Sequence, residues 1–115
     1  MHVSGQCFCG GIAYEADIDP ERVIICHCAD CQKMSGSAFE VVALTSGDHF
    51  TLVSGHPRAF VKMADGSVSR ELAFCASCGT RLYGRALGDA TGSLALRVGT
   101  IDQRHLLTPT LQLWC

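Results

Sequence analysis

Short apolar runs alternate with turn residues along almost the whole chain. GIAYEA, RVIIC, AFEVVAL, HFTLVS, RAFVK, SVSRELAF, SLALRV and TLQLW each read as a strand, rich in branched and aromatic side chains. Between them Asp19-Pro20, Ser46-Gly47-Asp48, Gly55-His56-Pro57, Ala64-Asp65-Gly66-Ser67 and Gly88-Asp89 supply the backbone angles that turn a chain back. Nowhere does the 3.6-residue period hold for three turns, and the best helical segment is a turn or so over residues 30–35. The pattern predicts a mainly β domain of antiparallel sheets with little helix. No repeat, low-complexity tract or linker interrupts it, so residues 1–115 read as one domain.

Composition agrees with that picture and narrows it. A chain of 115 residues is long enough for a single core to bury the surface that folding needs. Hydrophobic residues make up 48% and charged residues 17%, the balance of a globular rather than a disordered chain. No apolar run approaches the roughly 20 residues of a membrane helix, so no membrane partner is expected. MHVSGQCFCGG has neither the basic segment nor the apolar core of a secretory signal, and a cytoplasmic location is expected. The net charge is −2 and lysine and arginine form no cluster, which argues against nucleic acid as a partner.

A reducing compartment changes the meaning of the eight cysteines, because it disfavours structural disulfides and favours metal binding or thiol chemistry. FCASCG is a metal-knuckle signature: Cys75 and Cys78 lie across a tight turn, and Gly79 can take the positive φ that aims backbone N–H groups at the sulfurs. A closed tetrahedral site needs two more ligands, and CFCG is their natural source. Cys7 and Cys9, two apart on an extended segment, would face one ion while Phe8 points the other way into apolar surroundings. Disulfides and free thiols are the competing readings of these four.

Cys26, Cys28 and Cys31 remain, a same-face pair followed one turn later by a third thiol. Three ligands on one zinc leave a fourth position open to water or substrate, the arrangement that separates catalytic from structural zinc. The competing reading is a redox pair with a third thiol. His27 lies between two same-face cysteines and is expected to point away from the metal. Cys115 reads as a terminal thiol without a partner.

Four motifs in order, GQCFCGGIAYE, CHCADCQKMSGSAF, FCASCGTRLY and LRVGTID, with a proline before the final apolar segment, cover most of the chain. In these the sequence resembles the glutathione-dependent formaldehyde-activating enzymes, a family that also includes centromere protein V-like proteins. The resemblance implies a β-tent-type fold with two zinc ions. One is structural, on Cys7, Cys9, Cys75 and Cys78; the other, on Cys26, Cys28 and Cys31, is more labile and linked to catalysis. It also implies an activity, the joining of glutathione and formaldehyde into S-(hydroxymethyl)glutathione, classed as a carbon–sulfur lyase by its reverse reaction. In one respect the chain departs from the family: TPTLQLWC stops where many members continue, and Gln112 stands where they carry a histidine.

An open zinc site suits that chemistry, since the cation holds a bound glutathione sulfur as thiolate. Lys33, Ser35, Gly36 and Ser37 are the substrate-contact candidates. The serines and the N–H groups around Gly36 are the nearest donors for a developing alkoxide, and Lys33 is the cation nearest in sequence. The competing reading makes Ser-Gly-Ser-Ala a tight connection into the next strand. Arg58, Lys62, Arg81 and Arg85 are further partners for the glutathione carboxylates, Phe39 is expected in the core, and His27 is a second-tier proton shuttle. Outside catalysis, the same cysteines would serve a zinc-dependent interaction module or a thiol-based redox or metal sensor.

Overall fold

In the computed structural model, residues 1–63 and 68–113 are described; residues 64–67, where the sequence pattern predicts a turn, and residues 114–115, with Cys115, lie outside the described residues. Among the described residues ten strands form two sheets, with one short α-helix on the outside of their shared core. In chain order they are β1 (His2–Gln6), β2 (Ala13–Asp17), β3 (Val23–Cys26), α1 (Ala29–Ser35), β4 (Glu40–Ser46), β5 (Phe50–Ser54), β6 (Arg58–Lys62), β7 (Arg70–Phe74), β8 (Arg81–Ala86), β9 (Ser93–Arg97) and β10 (Leu111–Leu113). A three-stranded sheet runs β1-β2-β5, and a seven-stranded sheet runs β10-β3-β4-β9-β8-β7-β6. Among the described residues no helix is long and apolar enough to cross a membrane.

Among the described residues all strand pairings are antiparallel except one. β10 lies parallel to β3, with Leu113 beside Cys26. The reason is topological: the 98–110 segment carries the chain from β9 across to the far edge of the sheet, a crossover long enough for parallel pairing.

Alternation at period two decides which side chains enter the core. Val3 on β1, Tyr14 and Ala16 on β2, Leu82 on β8, and Leu94 and Leu96 on β9 are buried, so both sheets contribute to one shared core. Burying Leu94 and Leu96 stabilises the fold by about 2 kcal/mol each. Tyr14 ties the layers together: its ring stacks at 5.4 Å on Phe50, which meets Tyr83 edge-on at 5.0 Å, and its hydroxyl pairs with Thr100 Oγ1 at 2.7 Å.

Two strands have no apolar run to announce them. β1 contains Ser4 and Gly5, and β8 contains two arginines around Gly84. In β1 the glycine is required by its partner. Gly5 sits opposite Tyr14, and a Cβ on it would stand 2.3 Å from the tyrosine ring. The strand therefore forms because an aromatic side chain covers a bare stretch of backbone, a tertiary effect that local propensity does not register.

The helix begins and ends on identifiable caps. Cys28 is the N-cap, its sulfur accepting from Cys31 N–H at 3.3 Å, and Gly36 closes the other end with a φ of 67°. Asp30 in the first turn and Lys33 in the last suit the helix dipole.

Candidate functional site

Seven cysteines gather into two clusters, one of Cys7, Cys9, Cys75 and Cys78 and one of Cys26, Cys28 and Cys31; within each the sulfurs lie within 4.8 Å of one another. The four-cysteine cluster is built from the tips of two hairpins. Cys7 N–H donates to Ile12 O, closing the β1–β2 tip, and Cys75 N–H donates to Thr80 O, closing the β7–β8 tip. Each tip contains a left-handed glycine just after its second cysteine, Gly10 at φ 77° and Gly79 at φ 79°.

Cys7 and Cys9 therefore meet through a turn rather than an extended segment. One consequence corrects the expectation for Phe8: it stands on the outside of the tip and is 94% exposed. Its N–H donates to Thr80 Oγ1 at 3.0 Å, linking one hairpin tip to the other.

Sulfur separations in this cluster are 3.5 Å for Cys7–Cys9 and 3.8 Å for Cys9–Cys75. Four thiolates around a zinc ion at about 2.3 Å stand about 3.8 Å apart, so the donor set fits the ion with little movement. Electrostatics agree. The Thr80 hydroxyl and N–H hold the Cys78 thiol down at about 5. At Cys9, a hydrogen bond from Gly11 N–H favours the thiolate, but Cys7, Cys75 and Cys78 together push it up to about 11. Crowded sulfurs cannot all ionise by themselves, and a divalent cation removes that conflict.

The three-cysteine cluster is local. Cys26 ends β3, Cys28 caps α1 and Cys31 lies one turn in, so strand end and helix start bring the sulfurs together within six residues. All three are half-buried. Cys26 and Cys31 sulfurs are 2.9 Å apart, and an ion between them requires a separation about 1 Å wider. Burial works against the Cys28 thiolate, but hydrogen bonds from Cys31 and Cys26 and from the Cys31 and Asp30 N–H groups outweigh it and lower its pKa. Burial, with Cys26, Cys28 and Glu40 nearby, raises that of Cys31. The donor set suits zinc with a position to spare.

Beside this cluster opens a cleft. A cavity of about 150 Å³ is lined by Asp30, Cys31, Glu40, Lys62, Arg70 and Arg97. Glu40 and Arg97 also line an adjoining cavity of about 560 Å³, with Ser35, Arg81, Thr100 and Leu107 among its walls. Glu40 forms an ion pair with Arg97, both side chains being mostly buried. Lys62 reaches Asp30 at 2.6 Å. Another cavity of about 500 Å³, around Asp17, Arg22 and His49, contains no cysteine and lies apart from both clusters.

Of the substrate-contact candidates, Ser35 faces the larger cavity. Gly36 N–H and Ser37 N–H donate to Gln32 O, and Ser37 N–H also meets Ser35 Oγ, so these donors are engaged in ending the helix. Lys33 is exposed on α1 and lines none of the cavities described above. His27 turns away from the sulfurs and donates from Nε2 to Gln112 Oε1 at 3.0 Å, with Phe39 against its ring at 5.7 Å. Phe39, expected in the core, is 40% exposed there. Glu40 and Arg97 went unnoticed in the sequence because they lie on different strands and meet only through the pairing of β4 with β9.

Comparison with known proteins agrees with the architecture. A crystal structure of a Rhodobacter sphaeroides protein, a structural-genomics target, superposes with a TM-score of 0.72 over 95% of this chain and 98% of that one; at 16% identity it attests the fold alone. The family model described as glutathione-dependent formaldehyde-activating enzyme matches residues 2–115. With nearly its whole length matched, the chain belongs to the glutathione-dependent formaldehyde-activating enzyme family.

Proposed function

We propose that the protein joins a small thiol, glutathione in the first instance, to formaldehyde and catalyses the reverse cleavage, a carbon–sulfur lyase reaction at Cys26, Cys28 and Cys31. The observation that supports this is three sulfurs converging within 4.8 Å of one another, one ligand short of a closed site, with Cys31 lining a cleft. A zinc ion held by the three supplies an open position that favours the thiolate form of an incoming thiol. A cytoplasmic location, where thiols stay reduced, suits such a substrate.

The chain's own residues handle the proton and the geometry. Glu40 stands at the cleft wall beside Cys31, with its carboxylate oriented by Arg97. It takes the proton from the entering thiol and returns it to the aldehyde oxygen as the sulfur–carbon bond forms and the carbonyl π pair moves onto that oxygen. Nothing is oxidised or reduced. Arg70 adds a further cation to the cleft wall, while Lys62 there is paired with Asp30.

Exchange NMR with labelled formaldehyde and a panel of thiols tests the reading. Zinc-loaded protein should speed exchange into the S-hydroxymethyl adduct above background, and Cys28→Ala should not; no acceleration by the fully metallated protein would sink the lyase reading. The 2.9 Å contact of Cys26 with Cys31 favours a second reading, a thiol sensor in which hydrogen peroxide links the two sulfurs and releases the ion. Reversible zinc release on peroxide treatment, with one disulfide gained per chain, is its signature.

A further inference from the structure

Arg81 begins β8, three residues beyond Cys78, and its side chain reaches toward α1. Its Nε and one terminal nitrogen are shut off from solvent yet have no hydrogen-bond partner among the described residues. The other terminal nitrogen rests 4.0 Å from the Met34 sulfur, a weak acceptor. A guanidinium in that state is costly unless something arrives to accept from it.

The surroundings favour an anion. Arg81 and Arg97 line the larger cavity with Glu40 as the carboxylate there, and Glu40 is already paired with Arg97. Burial and the Arg97 charge both pull the Arg81 pKa down, and Glu40 opposes them only in part. In a chain whose net charge is −2, this cleft is locally positive. Glu40 and Arg97 border both cavities, so the cavity beside Cys31 and the one lined by Arg81 meet at the same ion pair.

We propose that Arg81 binds a carboxylate of the thiol substrate, gripping it bidentately at the end of the cleft away from Cys31, so that the site selects thiols that carry a carboxylate at a distance from the sulfur. This rests on the reading of the cysteine triad as the thiol–aldehyde site. The planar fork of Nε and a terminal nitrogen matches a carboxylate, and the two unpartnered donors become satisfied on binding. Met34, an unbranched side chain with a flexible thioether, lies against the remaining terminal nitrogen and can adjust as the ligand enters.

S-methylglutathione tests this, because it carries the carboxylates but no free thiol and so binds without reacting. Titrated into the zinc-loaded protein, it should shift the Arg81 Nε–H and Met34 methyl resonances. Arg81→Gln should weaken binding about tenfold or more, the loss of a charge-assisted pair, with two zinc ions per chain retained. On the unaltered protein, esterifying both carboxylates should cause a similar loss, which decides the matter even if Arg81→Gln folds poorly. Failure of S-methylglutathione to bind, or equal binding of the diester and by Arg81→Gln, overturns the proposal. Normal formaldehyde–glutathione exchange with unchanged KM in Arg81→Gln overturns it too, while leaving the lyase reading in place. Binding that depends on Arg81 in a protein that accelerates no exchange supports the carboxylate site and removes the lyase.

Discussion

Two groups of sulfurs in one small chain are assembled in opposite ways. Cys7, Cys9, Cys75 and Cys78 come from hairpin tips on different sheets, with Cys9 and Cys75 separated by 66 residues in sequence. Cys26, Cys28 and Cys31 come from one strand–helix junction. An ion in the first group cross-links the two sheets and closes a long loop, which removes entropy from the unfolded chain. An ion in the second closes only a few residues and adds little to global stability. On the proposed reading, spacing along the chain would separate an ion that holds the fold from one free to do chemistry.

Metal removal breaks this contrast most directly. Under increasing chelator the zinc at Cys26, Cys28 and Cys31 should leave first with the circular dichroism spectrum unchanged, and the second zinc should leave together with cooperative unfolding. Structural zinc contributes on the order of 10 kcal/mol to folding, so Cys75→Ser should fail to reach the native state. A folded Cys75→Ser protein with a normal melting temperature would place the cross-link elsewhere.

Substitution at Glu40 comes next. Glu40→Gln leaves the mostly buried Arg97 without its counter-charge beside an already unpartnered Arg81. A loss of about 3 kcal/mol in urea unfolding is expected, with exchange activity lost and two zinc ions still bound. Unchanged activity would exclude Glu40 as the proton carrier.

Cys28 sharpens the comparison within one residue, because its sulfur is the helix cap and also belongs to the three-cysteine cluster that could hold an ion. Cys28→Ala and Cys28→Ser should both reduce zinc to one ion per chain. Serine keeps a capping oxygen, so only the alanine variant should lose about a further 1 kcal/mol. Equal stability of the two would mean that the cap contributes nothing.

The smallest effect is at His2, on the strand that leads to Cys7. The hydrogen bonds it donates, to Glu15 first and Asp17 second, raise its pKa above the ordinary value, opposed by a little desolvation. A raised value in the folded state means that its contribution is fully present below about pH 6.5, the unfolded value. It is lost as pH rises through the higher folded value. The stability difference between wild type and His2→Gln should accordingly be present at pH 5.5 and vanish above pH 8.

Much of this was legible in the sequence where a residue's neighbours along the chain are also its neighbours in space. The strands with apolar runs, the short helix, the Cys26, Cys28 and Cys31 group and each cysteine pair of the other cluster are of that kind; that those two pairs meet across 66 residues followed from the four ligands a closed site needs. β1 and β8 were not legible, because Gly5 is tolerated only under the Tyr14 ring and Gly84 sits between strand residues whose value lies across the sheet. Phe8 was misplaced since the CFCG segment turns rather than extends. Glu40 with Arg97, and the unpartnered fork of Arg81, depend on strand register and helix placement, for which no local pattern exists.

The parallel pairing of β10 with β3 sets an order of events during synthesis. Chains emerge from the ribosome N-terminus first, at about 5–20 residues per second. Every ligand of the four-cysteine cluster is available once Cys78 is out, whereas the strand ending in Cys26 gains its last neighbour only when Leu113 arrives, with His27 N–H then donating to Leu113 O at 2.9 Å. If the four cysteines take an ion, the nascent protein could capture it while the sheet edge beside Cys26 is still bare, a built-in delay between closing the two hairpins together and completing the three-cysteine cluster's support.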